Sequence, residues 1–157
     1  MLPVYSGFVT PDFVDYNDHM NDAAYALVFS HSADGFFAAA GLDALGRAGT
    51  GQTIYTLALM IHYKREVRLS AGLSVCARLL EHDSKRVRLW LEMTHAETGQ
   101  LLATCEQVLI CMRAMDGGAK AASFAPDIAA WLDAAARFDA GVPWPAEAGH
   151  GITLKRK

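Results

Sequence analysis

The stretch Arg86-Val87-Arg88-Leu89-Trp90-Leu91-Glu92-Met93-Thr94-His95 alternates apolar side chains with mainly polar ones over its whole length. Every second residue from Val87 to Met93 is apolar, and in an extended chain these residues fall on one face because successive side chains point to opposite sides. The pattern therefore predicts a strand with one buried face and one face that is at least partly polar.

Three more β-type segments lie around this strand in the sequence, over residues 52–64, 73–82 and 101–113. Asp83-Ser84 and Glu97-Thr98-Gly99 are turn sequences, so we expect the strands that they join to be antiparallel neighbours. The last segment is apolar on both faces except for Thr104, Glu106 and Gln107. This composition predicts a central place in the sheet.

The rest of the chain supplies a short strand, one long helix and one short helix. Residues 4–9 are β-prone, and apolar residues recur at helical spacing from residue 23 to about residue 40, where Gly41 supplies a stop. Gly117-Gly118 is expected to end the sheet, and residues 126–138 predict a short helix. Because the long helix must bury its apolar side, we predict an α+β fold in which an antiparallel sheet curls around it.

The composition fits a single compact domain, which we predict over residues 1–140. Of the 157 residues, 52% are hydrophobic, and the net charge of −3 gives no global field for nucleic acid or an anionic membrane. No apolar stretch reaches the roughly 18 residues of a membrane-spanning helix, and the N-terminus lacks a secretory pattern. We expect a cytoplasmic protein with no nucleic-acid or membrane partner. Residues 141–157, which end in Lys155-Arg156-Lys157, predict a C-terminal tail.

Polar side chains concentrate directly before the predicted long helix. Asn21 or Asp22 is expected to cap that helix, because such side chains accept hydrogen bonds from its free N–H groups. Asp15, Asn17 and His19 stand upstream at a spacing of two, so an extended segment would project all three to one side. We expect a carboxylate, an amide and an imidazole to meet beside the positive end of the helix.

This arrangement suits the hydrolysis of an activated ester. The free N–H groups and the dipole of a helix N-terminus stabilise a carbonyl oxygen that gains negative charge in the transition state. The carboxylate of Asp15 can attack the carbonyl carbon or draw a proton from water, and the sequence leaves both routes open. A thioester needs little more, because its thiolate leaves without strong acid assistance.

Metal binding is the rival interpretation of the same residues. The spacing of Asp15, Asn17 and His19 loosely resembles the start of a calcium loop, but Met20 replaces the required glycine and Ala26 the bidentate glutamate. A zinc hydrolase would need a further ligand at short helical spacing. We therefore expect neither a metal nor another cofactor. Three cysteines lie in apolar runs and predict free buried thiols: Cys76, Cys105 and Cys111.

The segment from Asp15 to Tyr25 resembles the D-x-N-x-H-[VM]-N-x-x-Y pattern of hotdog-fold acyl thioesterases of the 4-hydroxybenzoyl-CoA thioesterase type. The order of the predicted elements is similar as well, over about residues 4–113. The resemblance implies a hotdog fold, hydrolysis of an acyl-CoA without a cofactor, and assembly into a homodimer or homotetramer. Asp15 matches the position of the catalytic carboxylate, and Asn17 and His19 match the polar residues beside it.

A further likeness is to the thioesterases of carnitine breakdown, which hydrolyse betainyl-CoA to betaine and CoA. The segments that carry this likeness are residues 19–25, 50–56, 83–86 and 103–107. A quaternary ammonium group makes no hydrogen bonds, so its pocket would need aromatic faces or a carboxylate. Under this hypothesis the substrate-binding residues are Tyr16, Met20, Asn21, Tyr25, Tyr55, Trp90 and Glu106.

Three alternatives remain open. The protein could be a thioesterase for another short or aromatic acyl-CoA, a hotdog acyl-CoA hydratase, or a non-catalytic hotdog binding module. The hydratase pattern places its aspartate and histidine one residue further apart than Asp15 and His19, which counts against it. Basic residues at strand ends could contact the phosphates of CoA or remain solvated: Lys64, Arg65, Arg68, Lys85, Arg86 and Arg88.

Overall fold

The computed structural model describes residues 1–151 as one antiparallel sheet with three helices. Its elements in chain order are β1 (Leu2–Phe8), α1 (Asp22–Ala39), α2 (Ala44–Thr50), β2 (Gln52–Tyr63), β3 (Gly72–His82), β4 (Arg86–His95), β5 (Leu101–Met115), β6 (Gly118–Ala121) and α3 (Pro126–Phe138). The strand order is β1-β3-β4-β5-β2, and β6 pairs with β5. The prediction of an α+β fold with a sheet around one long helix is confirmed.

Two short elements differ from the sequence expectation. Gly117-Gly118 does not end the sheet, because the chain turns there and β6 pairs antiparallel with the end of β5. The connection after α1 contains the helix α2, whose first turn is capped when the side chain of Asp43 accepts a hydrogen bond from the amide of Gly46 (2.9 Å). Gly51 ends α2 at φ 64°, a left-handed conformation that suits glycine. Because this segment is rich in glycine, its sequence did not predict a helix, although capping residues mark both ends of α2.

The inner face of the sheet packs against α1. The apolar residues of β4 lie in one cluster with the buried side of α1, which includes Val28, Phe29 and Phe36. Gly35 marks the closest approach of α1 to β1, because a Cβ on Gly35 would lie 2.1 Å from the carbonyl oxygen of Val4. The absence of a side chain at Gly35 therefore lets the helix lie directly on the strand.

The outer face of the sheet is crossed by the residues that follow α3. We call residues 139–151 the C-terminal strap. On β3, the guanidinium of Arg78 donates to the carbonyl oxygens of Val142 and Pro143. On β5, the side chain of Glu106 accepts a hydrogen bond from the amide of Gly149 (2.7 Å). Where the sequence predicted an extended or frayed tail, residues 141–151 make specific contacts with the sheet.

Ion pairs reinforce this contact. Arg88 on β4 pairs with Glu106 and lies over the ring of Trp144 in the strap, with its guanidinium carbon 4.9 Å from the ring centroid. Glu147 pairs with Lys64 and accepts a hydrogen bond from the hydroxyl of Thr104 (3.1 Å). The hydrogen bond from Lys64 is the main reason why the pKa of Glu147 is lowered. The predicted basic end of the tail, Lys155-Arg156-Lys157, lies outside the described residues.

Candidate active site

The polar segment before α1 forms a tight loop, which we call the motif loop (residues 15–21). The amide of Asp15 donates to the carbonyl oxygen of His19 (2.9 Å), and the amide of Asp18 donates back to the carbonyl oxygen of Asp15 (3.1 Å). The side chain of Asp15 accepts a hydrogen bond from the amide of Asn17 (2.8 Å). The expected extended segment is therefore wrong, because the chain turns between Asp15 and His19.

Asp18 is the residue that makes this turn possible. Its φ of 60° lies in the left-handed region, where aspartate is among the few residues other than glycine that occur regularly. The turn fixes one carboxylate oxygen of Asp15 on the amide of Asn17. A carboxylate that is held by a backbone donor keeps a defined orientation, which a nucleophile or a general base requires.

A second segment, residues 64–68, is fastened beside the motif loop. The amide of Met20 donates to the carbonyl oxygen of Val67 (2.8 Å), and the hydroxyl of Tyr25 donates to the carbonyl oxygen of Arg65 (3.1 Å). Nε2 of His19 lies 3.5 Å from Oε1 of Glu66, and this nitrogen is buried without a hydrogen-bond partner in the described residues. Glu66 therefore belongs to the surroundings of the predicted histidine.

The N-terminus of α1 lies directly after the motif loop. The side chain of Asn21 accepts a hydrogen bond from the amide of Ala23 (2.9 Å), so the predicted capping by Asn21 is confirmed. The first turn borders a cleft of about 240 Å³ that is lined by Asp12, Phe13, Asn21, Ala23, Ala24 and Leu27. The helix dipole makes this end of α1 favourable for a carbonyl oxygen that becomes negative.

Two tyrosines meet at the same end of α1. The rings of Tyr25 and Tyr63 pack edge to face, with centroids 5.3 Å apart and an interplanar angle of 87°. The hydroxyl of Tyr63 donates to the carbonyl oxygen of Asp22, the first residue of the helix (3.2 Å). Burial raises the pKa of Tyr25 to about 12, and the nearby Tyr63 and Glu66 contribute to the shift. Tyr25 is therefore a neutral hydrogen-bond donor at physiological pH.

Several residues predicted to bind substrate lie elsewhere. Trp90 pairs across the sheet with Glu106, on the outer face, and takes no part in the inner apolar cluster. Tyr55 pairs with Ile110 and also points to that outer face. All three side chains have the opposite parity along their strands from the residues that face α1, so the structure does not bring them together with the motif loop. Glu106 is paired with Arg88. A role of these three residues in substrate binding stays a prediction.

The remaining predicted residues lie in or next to the motif loop. Met20 is buried in the core and Asn21 caps α1, while Tyr16 is 94% exposed at the tip of the turn. Sequence reasoning missed Tyr63 and Glu66. They lie in β2 and in the segment after it, and nothing in the local sequence indicates that either is close to α1. Tyr63 and its hydrogen-bond partner Asp22 are 41 positions apart in the chain.

A separate cavity lies away from this site. It has a volume of about 410 Å³ and lies at the outer face near the β3–β4 turn, where its walls include Arg86 and Arg88. The side chain of Arg86 donates a hydrogen bond to the carboxylate of Asp83, and Arg88 forms ion pairs with Glu81 and Glu106. Both cations therefore already have carboxylate partners. The motif loop, which carries Asp15 and His19 directly before the N-terminus of α1, remains the candidate site.

The described residues contain no cluster of three or more histidine, cysteine, aspartate or glutamate side chains arranged to hold a metal ion. Among the helices over residues 1–151, none has the length and apolar character needed to cross a membrane.

Comparison with known proteins identifies relatives along nearly the whole chain. Betainyl-CoA thioesterase of Pseudomonas aeruginosa is 35% identical over 154 residues, which cover 98% of this chain and 96% of that protein. The L-carnitine dehydrogenase/betainyl-CoA thioesterase of Agrobacterium fabrum is 33% identical, and the match covers 99% of this chain but 31% of that longer protein.

Solved structures share the fold over the same length. A putative thioesterase of Pseudomonas putida superposes with a TM-score of 0.80 at 30% identity, covering 99% of this chain and 97% of that one. A hypothetical protein of Staphylococcus aureus, solved in complex with CoA, superposes with a TM-score of 0.86 at 26% identity and covers 99% and 98% of the two chains. The predicted hotdog thioesterase fold is thereby confirmed. Residues 9–132 match the model of the thioesterase-like superfamily, and the chain belongs to that family.

Proposed function

We propose that this protein hydrolyses betainyl-CoA to betaine and CoA. The observation that carries this proposal is the 35% identity with a betainyl-CoA thioesterase over 96% of that protein's length. The match includes the motif loop, the segment beside it and the strands of the sheet. Membership of the thioesterase-like superfamily supports thioester hydrolysis, and the full-length relative supports the acyl group.

The first turn of α1 would receive the thioester carbonyl. The dipole of α1 is already oriented there, so it stabilises the developing oxyanion without reorganisation during the reaction. The hydrogen bond from the amide of Ala23 to the side chain of Asn21 holds the end of the motif loop at the start of the helix. This arrangement lowers the barrier to attack on the carbonyl carbon.

Asp15 would supply the second function of the site. As a nucleophile, its carboxylate bonds to the carbonyl carbon and CoA thiolate leaves, which gives an anhydride that water then cleaves. As a general base, it takes a proton from water while the water oxygen bonds to the carbonyl carbon and CoA thiolate leaves. Asn17 orients Asp15 in both routes through its backbone amide. His19 would contribute a polar contact next to the reacting groups.

The segment at residues 64–68 would hold the CoA portion. Arg65 and Arg68 flank Glu66, and neither forms an ion pair with another residue in the part of the chain that the structure describes. Unpaired cations beside a substrate site suit the phosphates of CoA. Lys64, Arg86 and Arg88 already have carboxylate partners and are weaker candidates.

The edge of the sheet supports assembly into a homodimer or homotetramer. β2 is the last strand in the sheet order and exposes Tyr55, Leu57 and Leu59. A long edge strand with exposed apolar side chains is a template for pairing with a second chain. Light scattering should therefore give at least twice the mass of a 17.0 kDa chain. A stable monomer at micromolar concentration would contradict this part of the proposal.

Thiol release from a panel of acyl-CoA substrates tests the proposed activity. We expect the largest kcat/KM with betainyl-CoA, compared with acetyl-CoA, a straight-chain butyryl-CoA and 4-hydroxybenzoyl-CoA. A preference for one of the other three would assign a different acyl group and keep the thioesterase. Absence of thiol release from all four would leave the binding-module alternative.

A further inference from the structure

We propose that Tyr63 is the aromatic ring that receives the quaternary ammonium group of the acyl chain, with Glu66 as the counter-charge. The inference rests on the proposed function and identifies the residues that give it specificity. Tyr63 lies on the inner face at the end of β2, and its hydroxyl donates a hydrogen bond to the carbonyl oxygen of Asp22, the first residue of α1.

The chemistry of the acyl group sets where such a ring must lie. In a betainyl thioester one methylene separates the carbonyl carbon from the nitrogen, so these atoms are about 2.5 Å apart, as in an amino acid. A cation–π contact requires the nitrogen within about 6 Å of a ring centroid. The ring must therefore lie next to the group that binds the carbonyl, which is the N-terminus of α1.

Tyr63 meets this requirement. Its hydroxyl donates a hydrogen bond to the carbonyl oxygen of Asp22, the first residue of α1. Tyr25 packs edge to face against Tyr63 and is buried, so it supports the ring of Tyr63. Tyr63 itself is 53% exposed. The exposed ring of Tyr63 and the first residue of α1 thus form a corner that a compact cation can reach.

Two carboxylates lie near this corner. The carboxylate of Glu66 lies 3.5 Å from Nε2 of His19. Burial is the main reason why the pKa of Tyr25 is raised, and Glu66 contributes to that rise. Burial is also the main reason why the pKa of Tyr63 is raised, with a contribution from Asp22. A trimethylammonium group in this corner would meet these carboxylates and the ring of Tyr63, while a neutral group of the same shape would gain only apolar contact.

The other exposed or strand-borne aromatics do not have this position. Trp90 and Tyr55 point to the outer face of the sheet, away from α1. Tyr55 is 50% exposed, nearly the same as Tyr63, and it lies on the same strand. The chain therefore offers a matched control, in which the same residue type has the same exposure on the opposite face.

The test compares kcat/KM for betainyl-CoA with kcat/KM for 3,3-dimethylbutyryl-CoA, a neutral analogue of nearly the same shape. We expect Tyr63→Leu to lower this ratio by roughly threefold to thirtyfold, the range of one cation–π contact. Tyr63→Phe keeps the ring and should preserve the ratio within about twofold, although it removes the hydrogen bond to Asp22. Glu66→Gln keeps the size and should lower the ratio by about threefold at low salt.

The control variant Tyr55→Leu should leave the ratio unchanged. Because Tyr55 lies on the edge strand that is proposed to pair with a second chain, light scattering of this variant checks that its assembly matches that of the wild type. A structural role of Tyr63 would lower the rates on both substrates alike and leave their ratio intact, which would overturn the inference. An equal change of the ratio in Tyr55→Leu and Tyr63→Leu would overturn it as well. Failure of the wild-type protein to release CoA from betainyl-CoA would overturn the proposed function and this inference together. Wild-type preference for the cation with no response to Tyr63→Leu would overturn this inference alone.

Discussion

The two faces of the sheet are built from the same alternating strands but are covered in different ways. The inner face is apolar and packs against α1 through a continuous cluster of buried side chains. The outer face carries Arg78, Arg88 and Glu106, and the C-terminal strap covers it through hydrogen bonds and ion pairs. Alternation therefore defines two faces, but it does not tell which segment will cover the polar one.

The two faces of the sheet also differ in the role that we propose for their polar side chains. The motif loop and the tyrosine pair lie at the end of the inner face, next to the N-terminus of α1. The polar side chains of the outer face are paired with each other or with the strap, and so contribute to stability. Variants on the two faces should therefore differ in which property they change, and this difference can be measured.

The largest effect is expected at the motif loop. Asp15→Asn removes the nucleophile or base, so kcat should fall by about a hundredfold or more while the fold is retained. Asp15 lies in a loop that is held mainly by backbone hydrogen bonds, which asparagine leaves in place. Thiol release and circular dichroism provide the two measurements. Asp116→Asn, in the exposed β5–β6 turn, is the control, and a loss below tenfold in Asp15→Asn would contradict the assignment.

Gly35→Ala tests how tightly α1 lies on the sheet. The new Cβ would lie 2.1 Å from the carbonyl oxygen of Val4, so the helix or β1 must move. We expect the free energy of unfolding to fall by about 2 to 3 kcal/mol, as for overpacking in a core. Gly49→Ala in α2 is the matched control, because its Cβ would meet nothing within 4 Å. Urea denaturation of both variants makes the comparison, and equal stabilities would refute the close approach.

Glu106→Gln separates the two interpretations of this carboxylate. It leaves Arg88, which is mostly buried, with Glu81 as its remaining carboxylate partner, and it weakens the bond from Gly149 in the strap. We expect a loss of about 2 kcal/mol in the free energy of unfolding. Because the residue points away from α1, kcat/KM for betainyl-CoA should change by less than about threefold. A large loss of kcat/KM at unchanged stability would restore the substrate-binding role that the sequence suggested.

The smallest effect is expected in the β3–β4 turn. Asp83 accepts hydrogen bonds from the amide of Lys85 and from Arg86, which lower its pKa to about 2. A depressed pKa means that the stabilisation is present above the ordinary value of 3.8 and is lost as pH falls towards about 2. The side chain is 44% exposed, so Asp83→Ala should cost only about 0.5 to 1 kcal/mol at neutral pH.

The pH dependence provides the check. The difference in unfolding free energy between wild type and Asp83→Ala should shrink as pH falls from about 4 to about 2, because the carboxyl becomes protonated first in the unfolded chain and then in the folded protein. A difference that stays constant over this range would show that packing, rather than charge, explains the cost.

Local patterns in the sequence predicted much of the fold. The alternation in β4 located that strand at its observed bounds, and Pro126 marked the start of α3. The cap at Asn21 and the stop at Gly41 bracketed α1. The sequence prediction failed where glycines were interpreted only as the end of an element. Gly51 ends the helix α2, which was not predicted, and Gly117 lies in the turn that leads into β6.

The sequence indicated only part of the candidate site, because local patterns report only residues that are close together in the chain. The motif loop is contiguous in sequence, so its composition and its position before a helix were readable. Its turn at Asp18 was not, because an extended segment and a tight loop can carry the same residues. Tyr63 reaches the first residue of α1, and Glu66 reaches His19, only through the pairing of β2 and the course of the segment after it, which no local spacing reports.

The sequence by itself determined the strands, the long helix, its cap and the polar loop that precedes it, because side-chain periodicity and capping act between residues a few positions apart. Only the tertiary structure decided that β2 lies at the sheet edge, that residues 139–151 cover the outer face and that Tyr63 meets Tyr25. These contacts join residues far apart in the chain, so they depend on how all the elements pack together. Sequence and tertiary structure meet in the two faces of each strand. Alternation along the strand determines which side chains share a face, but only folding determines which segment packs against that face.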